Sequence, residues 1–214
     1  PLLTFSAPAA VRHALMWRHS TLEQARARAE QLHLHGAAFP WRTIHGEECS
    51  GYWPAGTAAF HVNADIADAV RRYVMITGDR EFEEHYGCEL LVETARLWES
   101  LGHHDDYGSF RIDGVTGPDE YSALVDNNVF TNLMAQLNLE SAHECVGRHP
   151  EVAKRLGMSR STVLRRIADG GLKATKVGTH HRIPLAEFDR YSHELVRRMA
   201  EASAADIEAE LFGD

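Results

Sequence analysis

The chain has 214 residues, enough for one large domain or two modest ones, and its 44% hydrophobic and 25% charged content is that of a soluble globular protein. No run of 18 apolar residues occurs, which excludes a membrane-spanning helix. The net charge of −9 is uneven: residues 1–149 carry 11 Lys and Arg against 21 Asp and Glu, whereas 154–182 carry eight basic residues and one acid, Asp169. Such a patch marks either a polyanion partner for that segment or a solvated face.

Opening on Pro1 without a basic-then-apolar leader, the chain reads as cropped, processed or cut from something longer. Residues 8–18 and 21–33 read as helices, with Thr21 as a cap and Leu22, Ala25, Ala29 and Leu32 on one face. The stretch from Gly36 to Thr57 is irregular and rich in Gly, Pro, Trp and His, and a loop of that length in a compact domain is usually functional. Helix returns over 64–77, with Ile66, Ala69, Val70 and Tyr73 as its buried stripe. Gly78 breaks it, and Asp79 can cap a further helix over about 80–101, where Phe82, Leu90, Val92, Ala95 and Trp98 are the apolar positions. A polar turn at 103–109 and a strand-like lead at 110–115 precede Gly117-Pro118, and another helix runs from about Asn127 into the 140s. Successive short helices imply helix-on-helix packing. After His149-Pro150 the pattern changes to short helices at 151–157 and 160–169, a small hairpin flanking Gly178-Thr179, and a last helix from about Leu185. The tail over 200–214 is polar and rich in Ala and Glu.

Cys49, Cys88 and Cys145 are odd in number, far apart and never in a C-x-x-C pair, which fits reduced thiols in a cytoplasmic protein. The paired histidines His33/His35 and His103/His104 lack a convergent set of further ligands, so no metal site is expected.

The segment Thr116-Gly117-Pro118-Asp119-Glu120-Tyr121, followed by Asp126-Asn127-Asn128 and Thr131-Asn132, places two carboxylates on a turn that Gly117 and Pro118 force out of helix. On pattern alone, Asp119 serves equally as a helix cap or as part of a catalytic loop. This segment resembles the catalytic-acid region of glycoside hydrolase family 65, inverting phosphorylases and hydrolases of α-glucosides such as maltose, trehalose and kojibiose. The resemblance extends over about residues 1–150: Gly36-Ala37-Ala38-Phe39-Pro40-Trp41, Gly46-Glu47-Glu48, His61-Val62-Asn63-Ala64-Asp65-Ile66, Thr77-Gly78-Asp79 and Glu93-Thr94-Ala95-Arg96-Leu97-Trp98 match family blocks in order.

The resemblance implies that Glu120 is the general acid, protonating the leaving oxygen from a carboxyl whose pKa burial raises. An inverting hydrolase needs a second carboxylate to activate water, whereas phosphate is already an anionic nucleophile. A single clear acid is therefore compatible with phosphorolysis, with inorganic phosphate as co-substrate and no other cofactor. Trp41 reads as a stacking platform for a sugar ring or as a core tryptophan, and Thr57, His61 and Asp119 as further pocket residues. Many family members carry Glu after that tryptophan. Here Arg42 stands in its place, which leaves the disaccharide open. The family fold is an (α/α)6 barrel of the six-hairpin glycosidase type, of which this chain holds the middle. The expected class is thus mainly α, a partial barrel whose own catalytic competence is left open. Its uncovered helix faces, with the tail, are candidate surfaces for an oligomer or protein partner.

From Glu151 onward the chain resembles the excisionase/MerR-like winged helix-turn-helix family. The residues that carry this are Val152-Ala153-Lys154-Arg155-Leu156-Gly157-Met158-Ser159-Arg160-Ser161-Thr162-Val163, Ile167, Gly170 and the wing from Lys176 to Pro184. Gly157 permits the turn and Ser159 caps the second helix. That resemblance implies duplex DNA as partner, with Arg160, Ser161, Thr162, Arg165 and Arg166 toward the major groove and Lys176, His180 and Arg182 on the wing. A protein-interaction role for the same motif stays open. The expected organisation is a carbohydrate-enzyme segment over 1–149, a DNA-binding segment over 150–199 and an acidic tail over 200–214. The alternative is a DNA-binding regulator in which the sugar-enzyme segment is inactive.

Overall fold

A computed structural model describes residues 2–119, 123–155, 175–177 and 180–182. The chain divides into two compact units, Pro1–Val152 and Ala153–Asp214. The first is mainly helical, as expected. Its elements are α1 (Leu2–Ser6), α2 (Pro8–Ser20), α3 (Leu22–Gln31), α4 (Trp53–Ala58), α5 (His61–Thr77), α6 (Arg80–Phe82), a π-helical turn (Glu83–Gly87), α7 (Cys88–Leu101) and α8 (Val129–Arg148). A two-stranded antiparallel ribbon, β1 (His103–His104) with β2 (Phe110–Arg111), joins α7 to the loop ahead of α8. The short helix α9 spans Pro150–Arg155. In the second unit β3 (Thr175–Val177) pairs antiparallel with β4 (His180–Arg182), Lys176 opposite His181, where the small hairpin was expected.

The core lies where α5, α7 and α8 pack on one another. Their buried residues recur at three- and four-residue intervals, so each helix turns one stripe inward, apolar on α5 and α7 and mostly small or polar on α8. On α5 that stripe is Ile66, Ala67, Val70, Tyr73 and Val74, with Ala69 only partly covered; on α7 it includes Leu90, Leu91, Leu97 and Trp98. Burying a large apolar side chain contributes roughly 1.5–3 kcal/mol, so these positions dominate the fold. One polar rung crosses the stripe. The Trp98 indole donates to Asn138 Oδ1 at 3.0 Å, and Asn138 Nδ2 donates to the Leu91 carbonyl at 3.1 Å. Each buried polar atom in that rung thereby has a partner, which is the condition for its burial.

Helix boundaries follow local chemistry. Gly78 ends α5 in the left-handed region at φ 68°, and Asp79 accepts the Phe82 N–H at 3.0 Å to cap α6. The same Asp79 carboxylate takes the Tyr73 hydroxyl at 2.7 Å and Arg12 at 3.1 Å, tying α2 to the α5–α6 corner. Thr21 departs from expectation: its hydroxyl donates back to the Arg18 carbonyl at 3.0 Å and caps nothing. The irregular stretch is also shorter than expected, because Trp53–Ala58 forms a helix with Pro54 in its first turn, where a missing N–H costs nothing.

The cysteines correct the sequence reading most clearly. Cys88 at the start of α7 and Cys145 near the end of α8 are both buried and form a disulfide. Cys49 is a free, exposed thiol. His149 lies beside the pair, its ring nitrogen within 4.8 Å of the two sulfurs, which as a disulfide offer no thiolate to a metal ion. Its Nε2 is 3.1 Å from Glu83, a buried carboxylate that Arg148 and Arg80 also contact. Burial pushes Glu83 up, but the hydrogen bonds from Arg148, Arg80 and His149 outweigh it and hold this acid below the ordinary range. Among the described residues no helix is long and apolar enough to cross a membrane.

Candidate functional site

Two loops meet at the ends of α4 and α5. The first, from Gly36 to Tyr52, carries Trp41 and is pinned along its early part. Gly36 sits at φ 73° against α7, where an added Cβ would run into the Glu93 carbonyl. Ala37 N–H then donates to Glu93 O at 3.0 Å, Ala38 N–H to Ala25 O at 2.9 Å, and Phe39 N–H to the buried Asn63 side chain at 2.9 Å. Trp41 therefore follows directly on a run of backbone held by three different helices.

The second loop runs from Ile112 to Asn128. Val115 and Val125 bridge antiparallel, with N–H to carbonyl distances of 3.1 and 2.8 Å. Gly114 N–H donates to Asp126 at 2.9 Å, and Thr116 N–H to Ala58 O at 3.0 Å. Asn127 takes a left-handed φ of 52°, donates its N–H to Ile112 O and accepts from Asn132 Nδ2 at 3.2 Å. Asn128 caps α8 by accepting the Thr131 N–H at 3.1 Å. The amide pairs that stood out in the sequence thus close the base of this loop.

Between the loops lies a cleft of about 360 Å³, counting its open mouth, lined by Trp41, Tyr52, Ala55, Ala59, His61 and the run Thr116–Asp119. Trp41 is 38% exposed, and its ring meets the buried His61 ring edge-on at 5.2 Å. His61 Nδ1 is 3.1 Å from Asp65 Oδ2, one turn along α5, so the ring is oriented from behind. The lining mixes an aromatic face with a ring nitrogen and a carboxylate, which suits an amphipathic ligand such as a sugar ring.

The structure brings Trp41, His61 and Asp119 together. Thr57 is exposed and absent from the lining; its hydroxyl donates to the Trp53 carbonyl at 2.8 Å within α4. Glu120 lies outside the described residues, directly after Asp119. So do Arg160, Ser161, Thr162, Arg165 and Arg166, while Lys176, His180 and Arg182 are described only as backbone of β3 and β4. Tyr52, Ala55 and Ala59 were missed as lining residues, and only the Gly/Trp/His-rich composition of their loop hinted at them. Behind Trp41, Glu48 was noted as part of a family block without a role. Burial pushes its carboxyl up, but hydrogen bonds from Ser50 and Trp41, with Arg28 nearby, bring it below the ordinary range.

Residues 1–194 match the glycosyl hydrolase family 65 central catalytic domain. An uncharacterized glycosyl hydrolase of Mycobacterium tuberculosis is 60% identical over 159 residues, covering 74% of this chain and 20% of that protein. The α,α-trehalose phosphorylase of Thermoanaerobacter brockii is 50% identical over 150 residues, covering 69% of this chain and 19% of the enzyme. A solved structure from the human microbiome, assigned as a kojibiose phosphorylase, superposes with a TM-score of 0.72 at 29% identity, over 77% of this chain and 23% of that one. The chain thus spans about a fifth of the length of these curated relatives. The family match runs across residues 150–194, where a helix-turn-helix was expected, and nothing in these comparisons supports that motif or duplex DNA as a partner. By the extent of that match and the identity of these relatives, the chain belongs to the glycosyl hydrolase family 65 central catalytic domain.

Proposed function

We propose that this chain is the acid-bearing segment of an inverting phosphorylase that cleaves an α-linked glucose disaccharide. The observation that carries the reading is the cleft that Trp41 lines together with the Thr116–Asp119 run, which immediately precedes Glu120 in the chain. Two relatives, at 50% and 36% identity, are phosphorylases of trehalose and kojibiose.

In this reading Trp41 stacks on a glucose ring, His61 and Asp119 hydrogen-bond its hydroxyls, and Glu120 is the general acid. A phosphate oxygen attacks the anomeric carbon as the glycosidic C–O bond breaks. The proton of the Glu120 carboxyl passes to the leaving oxygen, yielding free glucose and β-glucose 1-phosphate. Inversion follows from single displacement at that carbon. Inorganic phosphate is the co-substrate.

The test places residues 1–194 in the corresponding position of a full-length trehalose phosphorylase and measures phosphate-dependent release of β-glucose 1-phosphate. Glu120→Gln is expected to lower turnover by ~10²–10⁴ with the fold unchanged. An active Glu120→Gln protein, or turnover equal with and without phosphate, would sink the assignment.

A further inference from the structure

Two largely covered charges, Arg28 and Glu48, sit beside the cleft and contact the backbone that carries its lining. Arg28 projects from α3 and is largely covered, which lowers its affinity for its proton through lost hydration. Its Nη1 donates to the carbonyls of Ala38 at 3.1 Å and Phe39 at 2.9 Å, and its Nη2 donates to the carbonyl of Gly56 at 2.6 Å. One guanidinium therefore holds both the approach to Trp41 and the α4 turn that presents Tyr52 and Ala55. Glu48 completes the arrangement from the far end of the same loop. Its Oε2 accepts the Trp41 N–H at 2.7 Å, its Oε1 accepts the Ser50 N–H at 2.7 Å, and Arg28 Nη2 is 3.9 Å away.

We propose that Arg28 and Glu48 are positioning residues that set the Trp41 wall and the Tyr52–Ala55 wall of the cleft at a fixed separation, and thereby the thickness of ring it accepts. The planar fork of Arg28 makes three bonds, two to the loop at Ala38 and Phe39 and one to helix α4 at Gly56, which a lysine ammonium cannot reproduce in that geometry. Charge-assisted bonds to a carboxylate are stronger than neutral ones, so the Trp41 backbone is held more firmly than a solvent-exposed loop would be. The inference rests on the carbohydrate reading of the cleft for its ligand, though not for its geometry.

The experiment uses the full 214-residue chain with ¹⁵N-labelled tryptophan, the Trp41 signals being assigned from Trp41→Phe, during titration with trehalose and with maltose. In Glu48→Ala the Trp41 amide resonance is expected to move before any sugar is added, and sugar affinity to fall about tenfold. Glu48→Gln, which keeps one acceptor oxygen, is expected to fall between, and Arg28→Lys to behave like Glu48→Ala. The Trp98 indole resonance, reporting the core bond to Asn138, is expected to stay in place in all three. An unmoved Trp41 amide in Glu48→Ala overturns the proposal. So does a Trp98 shift as large as that of Trp41, since the pair would then serve the fold as a whole. If the unsubstituted chain shows no response to either sugar, the carbohydrate reading falls, while the sugar-free Trp41 shift still decides the positioning role.

Discussion

Trp98 and Trp41 are the same residue in opposite settings. Trp98 is fully buried among α5, α7 and α8, with its indole N–H paired to Asn138. Trp41 stands on a loop, 38% exposed, with its ring against His61 and its backbone held by Glu48. The first is fixed by packing, which is non-directional and summed over many weak contacts. The second is fixed by a few directional hydrogen bonds to backbone. A core built the first way resists change as a unit, whereas a cleft built the second way can lose its shape while the fold persists.

The largest effect is expected on the packed side. Trp98→Ala leaves a cavity and orphans Asn138, and should cost about 4 kcal/mol in chemical denaturation. A loss below that of an exposed substitution would mean that α7 does not seat where described.

The disulfide is expected to come next. It joins α7 to α8 across 57 residues of sequence, so reduction should lower stability by about 3 kcal/mol, chiefly by releasing the unfolded chain. Unfolding midpoints measured with and without a dithiol reductant check this. Identical midpoints would mean that the two sulfurs are not linked in solution.

These core features were unequally legible in the sequence. The stripes of α5 and α7 could be read because helical burial repeats every three or four residues. The Asp79 cap could be read because Gly78 marks a helix end and an acid follows it. Cys88 and Cys145 could not be paired, since a sequence separation of 57 carries no spacing signal and only the α7–α8 contact brings them together. Thr21 looked like a cap because cap residues are recognised by type, yet its hydroxyl turned to the preceding carbonyl. In the cleft, Trp41 and His61 were found through family blocks. Arg28 was invisible there: on the pattern of α3 it is one more charged residue off the apolar stripe, and its three carbonyl partners lie 10 to 28 residues away.

Glu83 sharpens the comparison from within the core, because it is buried yet held by hydrogen bonds. Glu83→Gln is expected to cost about 2 kcal/mol, less than a fully enclosed ion pair because Arg80 and Arg148 remain partly hydrated. The folded-state pKa of this acid is lowered, so its contribution is fully present above the ordinary carboxylate range and is lost as pH falls through the folded value. The stability gap between the parent and Glu83→Gln should therefore be widest near neutrality and close in acid. A gap that instead widened as pH fell would contradict the lowered pKa.

The smallest effect on stability, and the most telling, belongs to Trp41→Ala. Trp41 is 38% exposed and, among the described residues, its ring meets His61 edge-on, so its removal should change unfolding free energy by less than about 1 kcal/mol. If the ring is a sugar platform, the same substitution should abolish detectable binding of trehalose and maltose, because the stacking surface is gone while the polar groups that remain are also satisfied by water. Trp41→Phe keeps an aromatic face of smaller area and should retain part of the affinity. The pairing of a near-silent stability change with a lost ligand is what separates a binding tryptophan from a core one. A Trp41→Ala protein as destabilised as Trp98→Ala would place this residue with the core and return the cleft to a gap between loops.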